Sequence, residues 1–295
     1  MTRRSSLLDR RNRLRYAAVL LVVAAISASA ETGRDAWLRY GRLDHPPMLP
    51  AVLVNEAGTS PLVESAQAEL LKGVKGMTGH TLRLESAIPK EPALVLKVDA
   101  SLGPDSYSLQ GTAITAGDDR GLLYGTFAFL RKIGMGEATA TFHEKQAPAA
   151  PVRWINQWDN LDGSIERGYG GRSIFWENGR VRNDMTRVSE YGRLLASLGI
   201  DGTTIDNVNA DKRLLSDDYI PQVAKIAAAF RPWGVRIALS VDFGSPQSLG
   251  GLDTFDPLDP KVAAWWKERV DQFYDAIPDL AGIVLKADSE GRVGP

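Results

Sequence analysis

The chain of 295 residues contains no cysteine. Disulfides cannot hold it together, so its stability must come from its core. Histidine is nearly as scarce: His45, His80 and His143 are the only three, and all precede residue 150. A Ser-His-Asp triad or a histidine-rich metal site in the second half is therefore excluded. No G-x-S-x-G elbow and no Walker A phosphate loop occur. There is also no large excess of either charge, the net being −1. The hydrophobic share of 44% and charged share of 24% are those of an ordinary soluble globular protein. Length alone predicts about two domains.

Residues 1–30 stand apart. Six arginines (Arg3, Arg4, Arg10, Arg11, Arg13, Arg15) precede an uncharged apolar run from Tyr16 to Ile26, and Ala28-Ser29-Ala30 offers small residues for cleavage. The run is shorter than the roughly 20 apolar residues of a bilayer span. It reads as an export signal, with an uncleaved anchor as the alternative. That segment holds six of the 35 basic residues and one of the 36 acidic ones, so the remainder carries about −6. Such a balance argues against nucleic acid or an anionic membrane as partner. Export places the protein in a periplasm or outside the cell.

Residues 31–146 read as one α+β domain. Strands are expected at Val52-Val54, Leu82-Leu84, Leu94-Val98, Tyr107-Leu109 and Ala113-Thr115, with Gly111 at hairpin distance between the last two. Helical spacing of apolar residues runs from Leu62 to Val74 and from Gly121 to Ile133. The mixture predicts a small α+β sandwich without an acid, base or metal constellation, hence structural support. Residues 147–151, APAAP, form a linker, since two prolines among small residues resist helix and ladder alike.

From 152 onward the rhythm alternates. Strands are expected at Val152 to Gln157 (apolar enough to be buried), Gly202 to Val208, Val235 to Val241 and Gly282 to Lys286. Helices are expected from Asp184 to Leu198, from a Ser216-Asp217-Asp218 cap to Phe230, and from an Asp259-Pro260 cap to Ala276. Trp265 and Trp266, in the middle of that last helix, suit packing better than ligand contact. Alternation of this kind predicts a parallel sheet with helices outside it.

The densest stretch is Trp154 to Trp176, WINQWDNLDGSIERGYGGRSIFW. A strand there empties into a loop of aromatics, carboxylates, amides and glycines, and such a loop suits a sugar: rings stack on pyranose faces while Asp, Asn and Arg fix hydroxyls. Carboxylates also stand at every strand end: Asp159, Asp206, Asp242, Asp288 and Glu290. Two carboxylates can hydrolyse a glycosidic bond without a cofactor, and none is expected. Asp288 and Glu290, two apart, could alternatively hold a hard cation, but further oxygen ligands are not identifiable, so no metal is expected.

Three segments, in order, resemble the glycoside hydrolase family 67 α-glucuronidases. They are Trp158-Asp159-Asn160 with Ser164-Ile165-Glu166-Arg167-Gly168-Tyr169-Gly170-Gly171 and Ser173-Ile174-Phe175-Trp176, then Asn207-Val208-Asn209-Ala210, then Leu285-Lys286-Ala287-Asp288-Ser289-Glu290. Little from Trp37 onward departs from the pattern; Asp206 does, standing where an amide is expected. The run from Tyr107 through Gly121-Leu122-Leu123-Tyr124-Gly125-Thr126 resembles the accessory domain preceding the barrel in these enzymes and, more distantly, in hexosaminidases.

The resemblance implies a (β/α)₈ barrel whose first four units are residues 152–295. A barrel needs eight units and typically about 250 residues, so the chain reads as the front of a longer protein, inactive alone. It implies inverting hydrolysis of the bond joining (4-O-methyl)glucuronic acid to xylooligosaccharides. Aldouronic acids released from glucuronoxylan would be the partners, and the full-length protein could form a homodimer. Glu290 matches the general acid; its proton on the departing xylose oxygen requires a pKa raised by burial or negative neighbours. Asp288 would help raise it, and Lys286 would hold substrate. Trp158, Asn160, Glu166, Arg167 and Asn207 would line or support the pocket, Glu166 and Arg167 alternatively pairing with each other. Two other readings stand beside this one: another carboxylate glycosidase such as a hexosaminidase, and a non-catalytic carbohydrate-binding protein.

Overall fold

The computed structural model describes residues 39–206, 209–289 and 291–294, and both of its large sheets belong to one compact unit, Tyr40–Pro295. The expected export signal, Asn207 and Glu290 lie outside the described residues. No helix among the described residues is long and apolar enough to cross a membrane.

The first sheet has six strands. These are β1 (Val52–Asn55), β2 (Arg83–Glu85), β3 (Ala93–Val98), β4 (Tyr107–Gln110), β5 (Ala113–Ala116) and β6 (His143–Gln146), in the order β2-β1-β3-β5-β4-β6. The first four in that order run parallel, and β4 is antiparallel to both β5 and β6. The β4–β5 turn pairs Gln110 with Ala113 and puts Gly111 at φ 58, a backbone region costly for any residue with a Cβ.

Two helices pack on this sheet. Helix α1 (Pro61–Thr78) starts where Ser60 accepts the Val63 N–H and Pro61 presets the first turn, and it stops at left-handed Gly79, whose N–H reaches Lys75 O. Helix α2 (Asp119–Gly134) is capped by Asp118, which accepts the Gly121 N–H. Val63, Leu70 and Val74 of α1 share one core with Leu122, Phe127 and Leu130 of α2 and with Leu53, Leu94, Leu96, Leu109 and Ile114 of the sheet. Strand alternation sends Val52 and Val54 to the opposite face, beside Ala93 and Val95. The expected sandwich is thus a mixed six-stranded sheet under a layer of helices.

The second sheet is parallel throughout, in the order β12-β11-β10-β7. Its strands are β7 (Trp154–Asn156), β10 (Gly202–Ile205), β11 (Arg236–Asp242) and β12 (Gly282–Lys286). Between β7 and β10 come a two-stranded hairpin, β8 (Trp176–Glu177) and β9 (Arg180–Val181), and helix α3 (Thr186–Ser197). Helix α4 (Ile220–Phe230) joins β10 to β11; short α5 (Ser245–Ser248) and long α6 (Pro260–Ala276) join β11 to β12. Asp259 caps α6 as expected, accepting the Lys261 N–H. Trp265 and Trp266 pack edge to face at 4.9 Å against the core of this part, also as expected. Gly202 lets the Trp154 ring lie over β10: a Cβ there would stand 2.5 Å from the indole nitrogen.

Two expectations fail. The first strand is shorter than Val152–Gln157 and not buried, Val152 and Ile155 both being exposed. It lies at the sheet edge, paired only with β10 among the described residues, so its apolar residues lack the cover a central strand has. Nor do Ser216, Asp217 and Asp218 cap α4: Asp217 pairs with Arg269 and Asp218 with Arg180, and the helix starts at Ile220 without a side-chain cap. Pro221 in its first turn needs no N–H partner, which eases that start.

The two sheets meet through ion pairs. Arg153, just before β7, bonds Asp105 at 2.8 Å and the Gly199 carbonyl at 2.6 Å. Arg193 on α3 bonds Glu69 on α1. Trp233 packs against both cores.

Candidate active site

Because β7, β10, β11 and β12 are parallel and adjacent, their C-terminal ends come out along one edge, and the loops that follow carry the candidate residues. The loop after β7 folds tightly on itself. Gln157 N–H reaches Thr204 O at 2.7 Å, extending the ladder, and the Trp158 carbonyl accepts the Glu166 N–H at 2.8 Å. Asn160 donates to Ser164 Oγ at 2.9 Å and to the Glu166 carbonyl at 2.7 Å. Ser173 Oγ accepts the N–H groups of Phe175 and Trp176, whose rings are buried and anchor the loop's far end. Trp158 and Tyr169 instead remain exposed, at 46% and 77%.

Within that loop lies a pocket of about 520 Å³ lined by Asn160, Asp162, Ser164, Glu166, Arg167, Gly168 and Asn209. Three of the expected residues, Asn160, Glu166 and Arg167, thus share one wall. Glu166 sits at φ 56, and its Oε2 is buried without a hydrogen-bond partner. Arg167 approaches Glu166 Oε1 only to 3.9 Å and keeps a side chain 71% exposed. The two pair loosely, and Glu166 keeps a bare acceptor oxygen in the pocket wall. Asn209 belongs to the second motif. It donates to Asn160 Oδ1, tying the β10 loop to the β7 loop.

The strand-end carboxylates differ in environment. Burial pushes Asp159 up, against hydrogen bonds from Ser173 and the Ile174 backbone, and its Oδ2 has no partner. Burial pushes Asp206 up to about 8. Asp242 accepts the Gly244 N–H at 3.0 Å and Arg292 at 3.1 Å. Lys286 is the registered neighbour of Asp242 across β11 and β12, so this cation and this carboxylate stand side by side. Asp288 is exposed at φ 49. Lys286 and Asp288 do not line the pocket of the β7 loop. Arg292, which sequence reasoning passed over, comes from a terminal turn with no periodicity to flag it. Among the described residues no group of three or more acids and histidines could hold a metal.

This arrangement can bind a polyhydroxylated anion at the first loop and present carboxylates beside it. Residues 132–295 match the family model of the glycosyl hydrolase family 67 middle domain. Alpha-glucuronidase A of Emericella nidulans is 42% identical over 94% of this chain and 36% of its own length. The alpha-glucuronidase of Hypocrea jecorina is 42% identical over 96% and 37%. The chain thus spans little more than a third of the curated relatives it matches. A solved family 115 4-O-methyl-alpha-glucuronidase with specificity for decorated arabinogalactans superposes with a TM-score of 0.55 over 85% of this chain and 37% of that one, at 13% identity, a likeness of fold alone. With its middle-domain match covering more than half of the residues, the chain belongs to glycosyl hydrolase family 67.

Proposed function

We propose that the chain is part of an exported α-glucuronidase. After removal of residues 1–30 it comprises an accessory domain (31–146), a linker (147–151) and the first four βα units of a (β/α)₈ barrel (152–295). One observation carries the reading. Four adjacent parallel strands deliver Asp159, Asp206, Asp242 and Lys286 to one edge, beside a pocket walled by Glu166 and Arg167. The names of the relatives from Emericella nidulans and Hypocrea jecorina support it.

In this reading the uronate carboxylate pairs with Arg167, Lys286 holds the substrate outside that pocket, and the sugar ring stacks on Trp158. Glu166 accepts a hydroxyl, which supplies its buried oxygen with a partner. Glu290, protonated, gives its proton to the departing xylose oxygen of the α-1,2 bond, and Asp288 disfavours its ionisation. Water attacks from the opposite face of the ring, activated by a second carboxylate roughly 6.5–9.5 Å from the acid, which inverts the configuration. The substrates are aldouronic acids cut from glucuronoxylan.

Calorimetric titration of this chain with aldotriouronic acid and with neutral xylotriose tests the binding half of the reading. The acid should bind and xylotriose should not, and Arg167→Ala should weaken the acid about tenfold or more. Equal affinity for both sugars would point to a neutral-sugar glycosidase or a general carbohydrate binder.

A further inference from the structure

Asp206 has no task in the mechanism above, yet it is the most enclosed carboxylate at the strand ends, 0% exposed. It directly follows β10 at φ 56, a left-handed backbone uncommon outside glycine, asparagine and aspartate. Such strain persists only where surrounding contacts impose it. Here two do. Oδ2 accepts the Asp211 N–H at 2.6 Å, and the Asp206 carbonyl accepts the Ala210 N–H at 3.0 Å. Both bonds tie the backbone of Ala210 and Asp211 to Asp206. Oδ1 is buried with no partner among the described residues.

Asn209, which directly precedes Ala210, donates to Asn160 Oδ1, and both residues line the 520 Å³ pocket. We propose that Asp206 is a positioning residue: by clamping Ala210 and Asp211 it holds the adjoining Asn209 against Asn160 and so fixes the pocket wall that faces the sugar. The functional part of this inference rests on the pocket being the sugar site; the clamp itself does not.

The clamp responds to protonation. Around Asp206, Asp211 of the same segment raises its pKa, while Arg213 of the following turn and Arg292 of the segment after β12 lower it. Asp242, at the end of β11, takes a bond from Arg292 and divides that cation's attraction. Burial outweighs them all and pushes Asp206 up to about 8. Below about pH 8 the clamp is a neutral acid; above it Asp206 becomes a buried anion, and its hold on Ala210 and Asp211 must change for water to reach it. Asp206→Asn keeps an oxygen for the Asp211 N–H and removes the charge. Asp206→Ala removes the acceptor.

The test follows the side-chain amide signals of Asn160 and Asn209 in the nitrogen-15-labelled chain from pH 6 to 9.5, with and without aldotriouronic acid. In the wild type both signals should shift together with a midpoint near pH 8. In Asp206→Asn they should stay at their low-pH positions throughout, and in Asp206→Ala they should sit displaced at every pH. Static wild-type signals, or Asp206→Ala signals matching the low-pH wild type, would overturn the clamp. Should Asp206→Ala fail to fold, the wild-type midpoint and its loss in Asp206→Asn still decide. Amides that titrate as stated but ignore the sugar would leave the clamp standing and remove the sugar reading of the pocket.

Discussion

Arg193 on α3 holds Glu69 on α1 at two points, Nε to Oε1 at 2.6 Å and Nη2 to Oε2 at 2.9 Å, with both side chains buried. Tyr40 completes the cluster, its hydroxyl donating to Glu69 Oε2 at 2.7 Å and its ring lying 5.4 Å from the guanidinium carbon. Burial, reinforced by the Glu69 carboxylate, raises the Tyr40 phenol well above its ordinary range, so it stays a donor. A buried pair of this kind stabilises mainly in the sense that neither half can be left alone. Glu69→Ala should therefore cost about 3–5 kcal/mol, read by urea unfolding. The joint replacement Glu69→Leu with Arg193→Leu should recover most of that loss. A single replacement costing under about 1 kcal/mol would show that the pair does not hold the helices together.

The two raised aspartates give stability a pH slope. Asp159 and Asp206 both have folded pKa values above the unfolded one, so the folded chain binds more protons between them. Their contribution is fully present below the unfolded value near 3.8 and is lost as pH rises, for Asp206 through about 8. Carboxylates held low by hydrogen bonds, such as Asp99 and Asp184, act only below 3.8 and leave that window alone. The melting temperature should fall from pH 5 to pH 8, and Asp206→Asn should flatten most of the fall. An unchanged slope in that variant would assign the effect elsewhere.

Glu166 combines a left-handed backbone with a buried, unpartnered oxygen in the pocket wall. If Glu166 binds the sugar as proposed, function and stability should pull apart at this position. Glu166→Gly should raise stability by about 1 kcal/mol by relieving the backbone and should weaken aldotriouronic acid binding at least tenfold. Stability and binding falling together would mean that the carboxylate is scaffold.

Elements with a local chemical cause were legible in the sequence. Asp259-Pro260 fixed the start of α6, and Gly282 the start of β12, because a cap and a turn act within a few residues. The β8–β9 hairpin also had its signal, Asn178-Gly179, both at positive φ, but one turn pair between two-residue strands is easily passed over. Strand β6, HEKQ, has no apolar alternation and exists only through pairing with β4. At the site, motif and spacing gathered Asn160, Glu166 and Arg167. They could not show that Asp206 would be enclosed, which depends on tertiary packing, or that Asn209 would reach Asn160 across 49 residues of sequence.

The central claim is that this chain contributes the general acid of an α-glucuronidase through Glu290. It is tested most directly by Glu290→Gln in the protein carrying this chain, assayed on two substrates. Release of glucuronic acid from aldotriouronic acid should fall about 10²–10⁴-fold, the range a positioned acid supplies. On a 4-nitrophenyl glucuronide, whose leaving group needs no proton, the loss should be far smaller. Equal losses on both substrates would contradict the assignment.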